Sequence, residues 1–153
     1  MSVRPGVVTV PAILAGGIAS GWLAGSGYGN PWFDALAKPW FMPPGWAFPI
    51  AWTILYILMG LSLGQLLQAR RRRAAITLFL VQLALNYLWS PVFFAMHRAD
   101  AALAVLLLLD VAVLATIAAA WRVRRAAAWL LFPYAGWLVL ATALNAAILR
   151  LNG

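Results

Sequence analysis

The sequence predicts an all-α membrane protein, a bundle of five transmembrane helices with a structured loop between helices 1 and 2. Of its 153 residues, 65% are hydrophobic and only 9% are charged, whereas about a quarter of the residues in a typical soluble domain are charged. Apolar runs of roughly 18 or more residues, each able to cross a hydrocarbon core of about 30 Å, recur along the chain. Most arginines fall between these runs, where they act as topology signals.

The composition also excludes several other classes of protein. The apolar runs occupy about 100 residues, so we expect residues 1–153 to form a single integral membrane domain. The sequence contains no cysteine, which excludes disulfides and thiolate chemistry. The net charge of +8 is explained by arginines in loops rather than by nucleic-acid binding. The first run is long for the apolar region of a signal peptide, so we expect a retained helix.

The first predicted span covers residues 7–24 and carries glycines at intervals of four. Gly17 and Gly21 lie within it, and Gly25 follows directly. Small residues at this spacing form a groove that another helix can approach closely. The groove is either the seam of a homodimer or a packing face for another helix of the same chain, and the spacing does not decide between them. A homodimer interface at Gly17, Gly21 and Gly25 is our working hypothesis.

A long connection over residues 25–44 leads to the second span, predicted at residues 46–67. The segment 38–56 combines three tryptophans with four prolines. Each proline fixes φ and keeps the preceding residue out of the α region, and tryptophan is typical of the membrane interface. We therefore expect a structured lid, with a short helix at residues 32–37, that leads into one wall of a binding pocket.

Three further spans are predicted at residues 74–95, 101–121 and 126–149. With five spans, the N-terminus lies on the same side as the second and fourth connections. This side carries eight basic residues, and the other side carries only three. The first group comprises Arg4, Arg70, Arg71, Arg72, Arg73, Arg122, Arg124 and Arg125, and the second Lys38, Arg98 and Arg150. The positive-inside rule then predicts a cytoplasmic N-terminus and an external first connection.

Aromatic and amide side chains follow helical spacing in three of the spans. The stripes are Pro49, Trp52 and Tyr56 in the second span, Gln82, Asn86, Trp89 and Phe93 in the third, and Tyr134, Trp137, Ala141 and Asn145 in the fifth. Amides facing lipid would be costly, so these stripes should face inward. They fit a pocket for a flat, largely apolar ligand. They fit equally a helix–helix core in which the amides form interhelical hydrogen bonds.

Two titratable residues need separate interpretation. Asp110 lies near the middle of the fourth span, where a carboxylate is a candidate for proton coupling or cation binding, as in a small exporter. No basic residue in any span is placed to pair with it, so we favour a protonated acid that hydrogen-bonds across a helix interface. His97 has no second ligand at metal spacing and is expected to be a loop residue. The sequence carries no Ser/His/Asp set, phosphate loop or dinucleotide fingerprint.

Several motifs in the chain resemble the signature of the TspO/MBR family. These tryptophan-rich sensory proteins are homologues of the mitochondrial translocator protein, also known as the peripheral-type benzodiazepine receptor. The motifs are Trp32-Phe33, Lys38-Pro39, Pro43-Pro44-x-Trp46-x-Phe48, Trp52-x-x-x-Tyr56, Gln82-x-x-x-Asn86-x-x-Trp89, and Pro133-Tyr134 with Trp137 and Asn145. The resemblance covers nearly the whole chain, and it implies a five-helix bundle whose pocket is closed by the connection between helices 1 and 2.

The resemblance also implies a bacterial membrane receptor or sensor for porphyrins such as protoporphyrin and haem, with no required cofactor and no metal. By matching position, the pocket would involve Trp40, Phe48, Trp52, Tyr56, Asn86, Trp89, Phe93, Trp137, Ala141 and Leu144. Trp52 and Trp137 match positions proposed to act in light- and oxygen-dependent porphyrin breakdown, so a porphyrin-degrading enzyme is one alternative. A porphyrin or lipophile transporter is another, although the chain lacks a convincing internal repeat. Family members are often homodimers.

Overall fold

The described part of the protein contains five long helices and one short helix. In the computed structural model, which describes residues 4–153, they are α1 (Gly6–Ala24), α2 (Pro31–Ala35), α3 (Ala47–Leu67), α4 (Arg73–Ser90), α5 (Ala99–Val123) and α6 (Arg125–Asn152). All except α2 are long and apolar enough to cross a membrane. The predicted all-α, five-span fold is therefore confirmed. The short helix predicted at residues 32–37 is present but ends two residues earlier, at Ala35.

The long helices form a closed ring whose order differs from their order in the chain. α1 packs against α3, α3 against α6, α6 against α5, α5 against α4, and α4 against α1. The centre of the ring is filled at one end by a cluster that includes the fully buried Met59, Phe79 and Tyr134. A second, aromatic cluster that includes Phe33 and Phe93 lies at the other end. The ring order places the stripes of α3, α4 and α6 around one interior.

Glycines on α3 allow α1 to approach closely. A Cβ atom added at Gly60 would overlap the backbone of Val10, and one added at Gly64 would lie 2.8 Å from the amide nitrogen of Gly6. The hydroxyl of Thr9 donates a hydrogen bond of 2.6 Å to the carbonyl oxygen of Gly60. The helix backbones are therefore in direct contact, as small residues permit in membrane helices.

The glycines that were predicted to form a homodimer seam have contacts within the chain. Gly17 is buried and makes room for the ring of Tyr56, which an added Cβ would overlap. Gly21 has only Ser26 within 4 Å of an added Cβ. Gly25 ends α1 in the left-handed region, with φ of 67°, a conformation that favours glycine. Packing within the chain thus accounts for Gly17, and the homodimer stays a prediction.

The connection between α1 and α3, residues 25–46, covers one end of the bundle and is called the lid below. Asn30 begins α2 and accepts a hydrogen bond of 3.2 Å from the amide of Phe33. The same side chain donates to the carbonyl oxygen of Phe94, which ties the lid to the end of α4. Lys38 donates to the carbonyl oxygen of Phe33 at 2.8 Å. The lid is therefore ordered by its own polar contacts.

A reciprocal pair of hydrogen bonds joins the lid to the end of α6. The amide of Ala37 donates to Oδ1 of Asn152, and Nδ2 of Asn152 donates to the carbonyl oxygen of Ala37, both at 2.9 Å. One side chain thus satisfies both backbone groups of a lid residue. This pair, called the lid clamp below, connects residues that lie 115 positions apart in the sequence.

The helix α4 continues beyond Ser90 as a π-helical turn, Pro91–Ala95. Proline has no amide hydrogen to donate to the preceding turn, and the amide of Met96 donates to the carbonyl oxygen of Pro91 at 2.9 Å. In this wider turn two consecutive rings face the interior, since Phe93 is 1% exposed and Phe94 is 6% exposed. Such turns are frequent at functional sites, and this one places two aromatic rings beneath the lid.

Candidate functional site

The ring of helices encloses a cavity of about 610 Å³ beneath the lid. All five long helices and the lid contribute to its walls. The principal lining residues are Gly17 and Gly21 of α1, Tyr28 and Phe33 of the lid, Phe48, Trp52 and Tyr56 of α3, Asn86 and Trp89 of α4, Phe93 and Phe94 of the π-helical turn, Leu106 and Leu109 of α5, and Trp137, Ala141 and Leu144 of α6. The lining is thus mainly aromatic and aliphatic, with a few polar groups.

Nine of the ten residues that the resemblance placed in the pocket line this cavity. They are Phe48, Trp52, Tyr56, Asn86, Trp89, Phe93, Trp137, Ala141 and Leu144. The tenth, Trp40, lies outside it and is 94% exposed, with its ring 5.5 Å from that of Phe41. The lid turns at this point, and Pro39 takes the buried position while Trp40 takes the exposed one.

Flat aromatic faces form two sides of the cavity. On the side of α3 and α6, the rings of Trp52 and Trp137 lie 6.5 Å apart at 83°, and Phe48 lies 5.9 Å from Trp137. On the side of α4, Trp89 and Phe93 are stacked, with centroids 5.0 Å apart. Aromatic pairs favour stacked or perpendicular arrangements of this kind. The same preference suits a flat ligand placed between them.

A row of hydrogen bonds links α3, α4 and α6 beside the cavity, and we call it the polar row. Tyr56 Oη donates to Asn86 Oδ1 at 2.7 Å, and Asn86 Nδ2 donates to Tyr134 Oη at 2.8 Å. Tyr134 Oη in turn donates to Gln82 Oε1 at 2.9 Å. Within residues 4–153, Nε2 of the buried Gln82 has no partner. The sequence allowed Asn86 either an interhelical hydrogen bond or a place in a pocket, and the structure shows both, since Asn86 bonds to α3 and α6 and also lines the cavity.

A second amide fixes the orientation of the Trp89 ring. The indole Nε1 of Trp89 donates to Asn145 Oδ1 at 3.0 Å, and Asn145 Nδ2 donates to the carbonyl oxygen of Ala99 at 2.9 Å. The indole is thus held on one edge by a hydrogen bond and on one face by Phe93. A preorganised ring of this kind costs little ordering entropy when a ligand binds.

Asp110 and His97 both lie away from the cavity lining. Thr142 Oγ1 on α6 donates to Asp110 Oδ2 on α5 at 2.7 Å, so Asp110 forms a hydrogen bond across a helix interface as its acceptor. Within residues 4–153, the buried Oδ1 of Asp110 has no partner, and the protonated form of the acid stays a prediction. His97 is exposed, and its imidazole stacks on the indole of Trp32 with centroids 4.7 Å apart. Within the described residues, no group of three His, Cys, Asp or Glu side chains could hold a metal ion.

Sequence reasoning missed the contributions of α5 and most of the lid to the cavity. Leu106 and Leu109 come from a continuous apolar run, in which no polar residue marks the inward face. Tyr28 and Met42 lie in the lid, where no periodic pattern applies. Tyr134, by contrast, was placed in an inward stripe but lies behind the wall, where it is fully buried. The amides of Gln82 and Asn86, which bond to its hydroxyl, were the signal in the sequence that could have indicated this buried position.

The chain can also be compared with known proteins. Residues 8–151 match the model of the TspO/MBR family. The chain is 44% identical over 121 residues to the tryptophan-rich sensory protein of Cereibacter sphaeroides, covering 79% of this chain and 77% of that protein. It is 37% identical to the tryptophan-rich protein TspO of Archaeoglobus fulgidus over 99% of both chains, and 38% identical to the human translocator protein over 82% of this chain and 78% of that protein. With its five membrane-spanning helices, the chain is therefore a multi-pass integral membrane protein that belongs to the TspO/MBR family.

Proposed function

We propose that this protein is a membrane receptor or sensor that binds porphyrins and other flat lipophilic molecules in the cavity beneath the lid. The supporting observation is the cavity itself. Its volume of about 610 Å³ lies within the range of about 300–1,000 Å³ typical of small-molecule sites. Its flat aromatic walls and few polar groups suit a ligand that is planar and largely apolar.

The names of two relatives describe two different uses of such binding. The Cereibacter sphaeroides relative is named a sensory protein, and the human relative a translocator protein. The two uses differ in a measurable way. A transporter moves protoporphyrin into the lumen of sealed proteoliposomes, whereas a receptor binds it without accumulation. We propose that this protein acts as a receptor, which binds protoporphyrin without transporting it.

The test is protoporphyrin binding to purified protein in darkness, followed through the absorbance of the porphyrin itself. This readout does not depend on tryptophan fluorescence, which every tryptophan variant would alter. Trp137→Ala removes the indole that lies beside both Trp52 and Phe48. We expect its Kd to rise roughly 10-fold, because an aromatic contact contributes about 0.5–1.5 kcal/mol beyond area burial.

The matched control is Trp129→Ala, near the start of α6. The ring of Trp129 is 60% exposed and lies against Trp121 and Phe132, away from the cavity lining. This variant should bind protoporphyrin as the wild type does. Equal affinities for the wild type and Trp137→Ala, or equal losses in both variants, would reject the cavity as the porphyrin site.

Light-dependent porphyrin breakdown is a second candidate function. The observation that favours it is the adjacent pair Trp52 and Trp137, both on the cavity wall, with centroids 6.5 Å apart. Illumination of the complex in air should then produce new absorbance bands, and Trp137→Phe should reduce their rate of formation. If the bands form at the same rate without protein, this candidate is rejected and the receptor proposal stands.

A further inference from the structure

The polar row runs in a single direction. Tyr134 Oη lies between Nδ2 of Asn86 and Oε1 of Gln82. An amide nitrogen only donates and an amide oxygen only accepts, so the hydroxyl hydrogen of Tyr134 must point to Gln82. Tyr56 Oη contacts the amide oxygen of Asn86, so its hydrogen must point to Asn86. Each donor in the row therefore faces away from Tyr56.

This direction determines what Tyr56 offers to the cavity. Tyr56 and Asn86, the two partners of the first hydrogen bond, both line the cavity. The only hydrogen of the Tyr56 hydroxyl is used within the protein, whereas its oxygen retains lone pairs. A phenol is both a donor and an acceptor, but here only the acceptor remains for a ligand. The indole N–H of Trp89 is likewise used, by Asn145.

We propose that Tyr56 is a specificity-determining residue that selects flat ligands with an N–H or O–H donor on their edge. This inference rests on the proposed function, and it names the chemical class of ligand. A donor on the ligand edge completes the hydrogen bonding of Tyr56. A ligand that presents only an acceptor oxygen there places one lone pair against another and leaves both groups without a partner, which is unfavourable.

Tyr134 and Gln82 act as positioning residues in this arrangement. Neither lines the cavity, and both are almost fully buried. The oxygen of Gln82 fixes the hydrogen of Tyr134, the oxygen of Tyr134 fixes the amide of Asn86, and the oxygen of Asn86 fixes the hydrogen of Tyr56. Consecutive hydrogen bonds polarise one another, so the far end of the row supports the acceptor character of Tyr56.

The probes are carbazole and dibenzofuran, two flat tricyclic molecules of the same shape. They differ at one edge atom, where carbazole has an N–H donor and dibenzofuran has an acceptor oxygen. Each is used to displace protoporphyrin from purified protein, and the readout is the ratio of the two displacement constants. We expect carbazole to displace protoporphyrin at lower concentration, by a factor on the order of 3 to 10, as a single hydrogen bond would give.

The variant Asn86→Leu removes the acceptor to which Tyr56 donates. The hydrogen of Tyr56 is then released towards the cavity, so the preference for carbazole should disappear or reverse. Tyr134→Phe removes the oxygen that fixes the amide of Asn86, and it should reduce the ratio as a second, independent variant. The matched control is Tyr87→Phe. Tyr87 lies 6.1 Å from Tyr56, its hydroxyl donates to Ile13, and it does not line the cavity, so the ratio should stay unchanged.

The outcomes separate this inference from the proposed function. Failure of protoporphyrin to bind the wild type would overturn both. If protoporphyrin binds but the two probes displace it equally, or neither displaces it, or dibenzofuran is preferred, the inference alone is overturned. A ratio that is unchanged in folded Asn86→Leu and Tyr134→Phe would show that the polar row does not set the preference. Even if neither variant folds, the ratio of the two displacement constants in the wild type still tests whether the cavity prefers a donor on the ligand edge.

Discussion

The contact between α1 and α3 predicts a large effect of a single methyl group. In Gly60→Ala, the added carbon would lie 2.7 Å from Cγ2 and 2.9 Å from the amide nitrogen of Val10, and closer still to its Cα. Favourable carbon contacts lie at about 3.5–4.0 Å, so α1 would have to retreat by about 1 Å. The close atoms belong to the backbone of a helix, which cannot rotate away as the end of a side chain can.

Two contributions determine how far Gly60→Ala lowers the free energy of unfolding. Inserting a methyl group into a closely packed interface typically costs about 1–3 kcal/mol. Retreat of α1 would also lengthen the 2.6 Å hydrogen bond from Thr9 to the Gly60 carbonyl, whose loss costs about 1 kcal/mol. The free energy of unfolding should therefore fall by about 2–4 kcal/mol. In a chain of this size, this corresponds to a Tm lower by roughly 5–15 °C.

The assay is thermal unfolding of purified protein in detergent, with Gly136→Ala as the matched control. At Gly136, which lies on α6, no atom apart from the adjacent residues and the backbone of the same helix lies within 4 Å of an added Cβ. The same substitution should there stabilise the helix by about 0.5–1 kcal/mol through its better helix propensity. If Gly60→Ala and Gly136→Ala unfold at the same temperature, the backbone contact does not support the bundle and the reasoning is refuted.

Two further predictions concern the lid and the orientation in the membrane. Asn152→Ala removes both hydrogen bonds of the lid clamp to Ala37, so protoporphyrin should dissociate about 3- to 10-fold faster in stopped-flow measurements. An unchanged rate would show that the clamp does not retain the lid. Because the chain has no cysteine, Ala35→Cys on the lid and Ala126→Cys at the start of α6 can each be labelled alone. A membrane-impermeant maleimide should label the first in intact cells and the second only after lysis, and the reverse pattern would contradict the positive-inside prediction.

The fold was largely predictable because the membrane imposes simple rules. A span needs enough apolar residues to cross the hydrocarbon, and its backbone must be internally hydrogen-bonded. When the π-helical turn is counted with α4, these rules alone place each predicted span within three residues of the observed one. They carry no information on the order of the helices in the ring. That order depends on which faces fit together, and the sequence of one chain does not reveal it directly.

The inward stripes were predictable for the same reason. Gln82 and Asn86 would be costly against lipid, so their face had to turn inward, and both are buried. Trp89 and Phe93 follow at helical spacing, so they were predicted on the same inward face of α4 and its continuation. Trp40 was misplaced because it lies in a turn of the lid, where no period relates neighbouring residues. The match of Trp40 to a position of the family did not indicate which side of the turn its ring occupies.

The glycines show where spacing alone is ambiguous. Gly17 and Gly21 have the interval expected of a close helix contact, but the interval does not identify the partner. The structure gives the ring of Tyr56 as the neighbour of Gly17. The backbone contact between helices instead involves Gly60 and Gly64, which share the same interval but were overlooked. Identifying them required the three-dimensional neighbours of each glycine.

The position of α6 in the ring has a consequence for biosynthesis. α6 is synthesised after the other helices described here, yet it sits between α3 and α5. While it is still within the ribosome or the insertion machinery, Trp52 has no Trp137 beside it and the wall of the cavity is open to lipid. The complete site therefore forms only when α6 enters the bundle. A ligand that contacts both helices would then favour correct assembly, because it binds and stabilises only those chains in which α6 has joined the bundle.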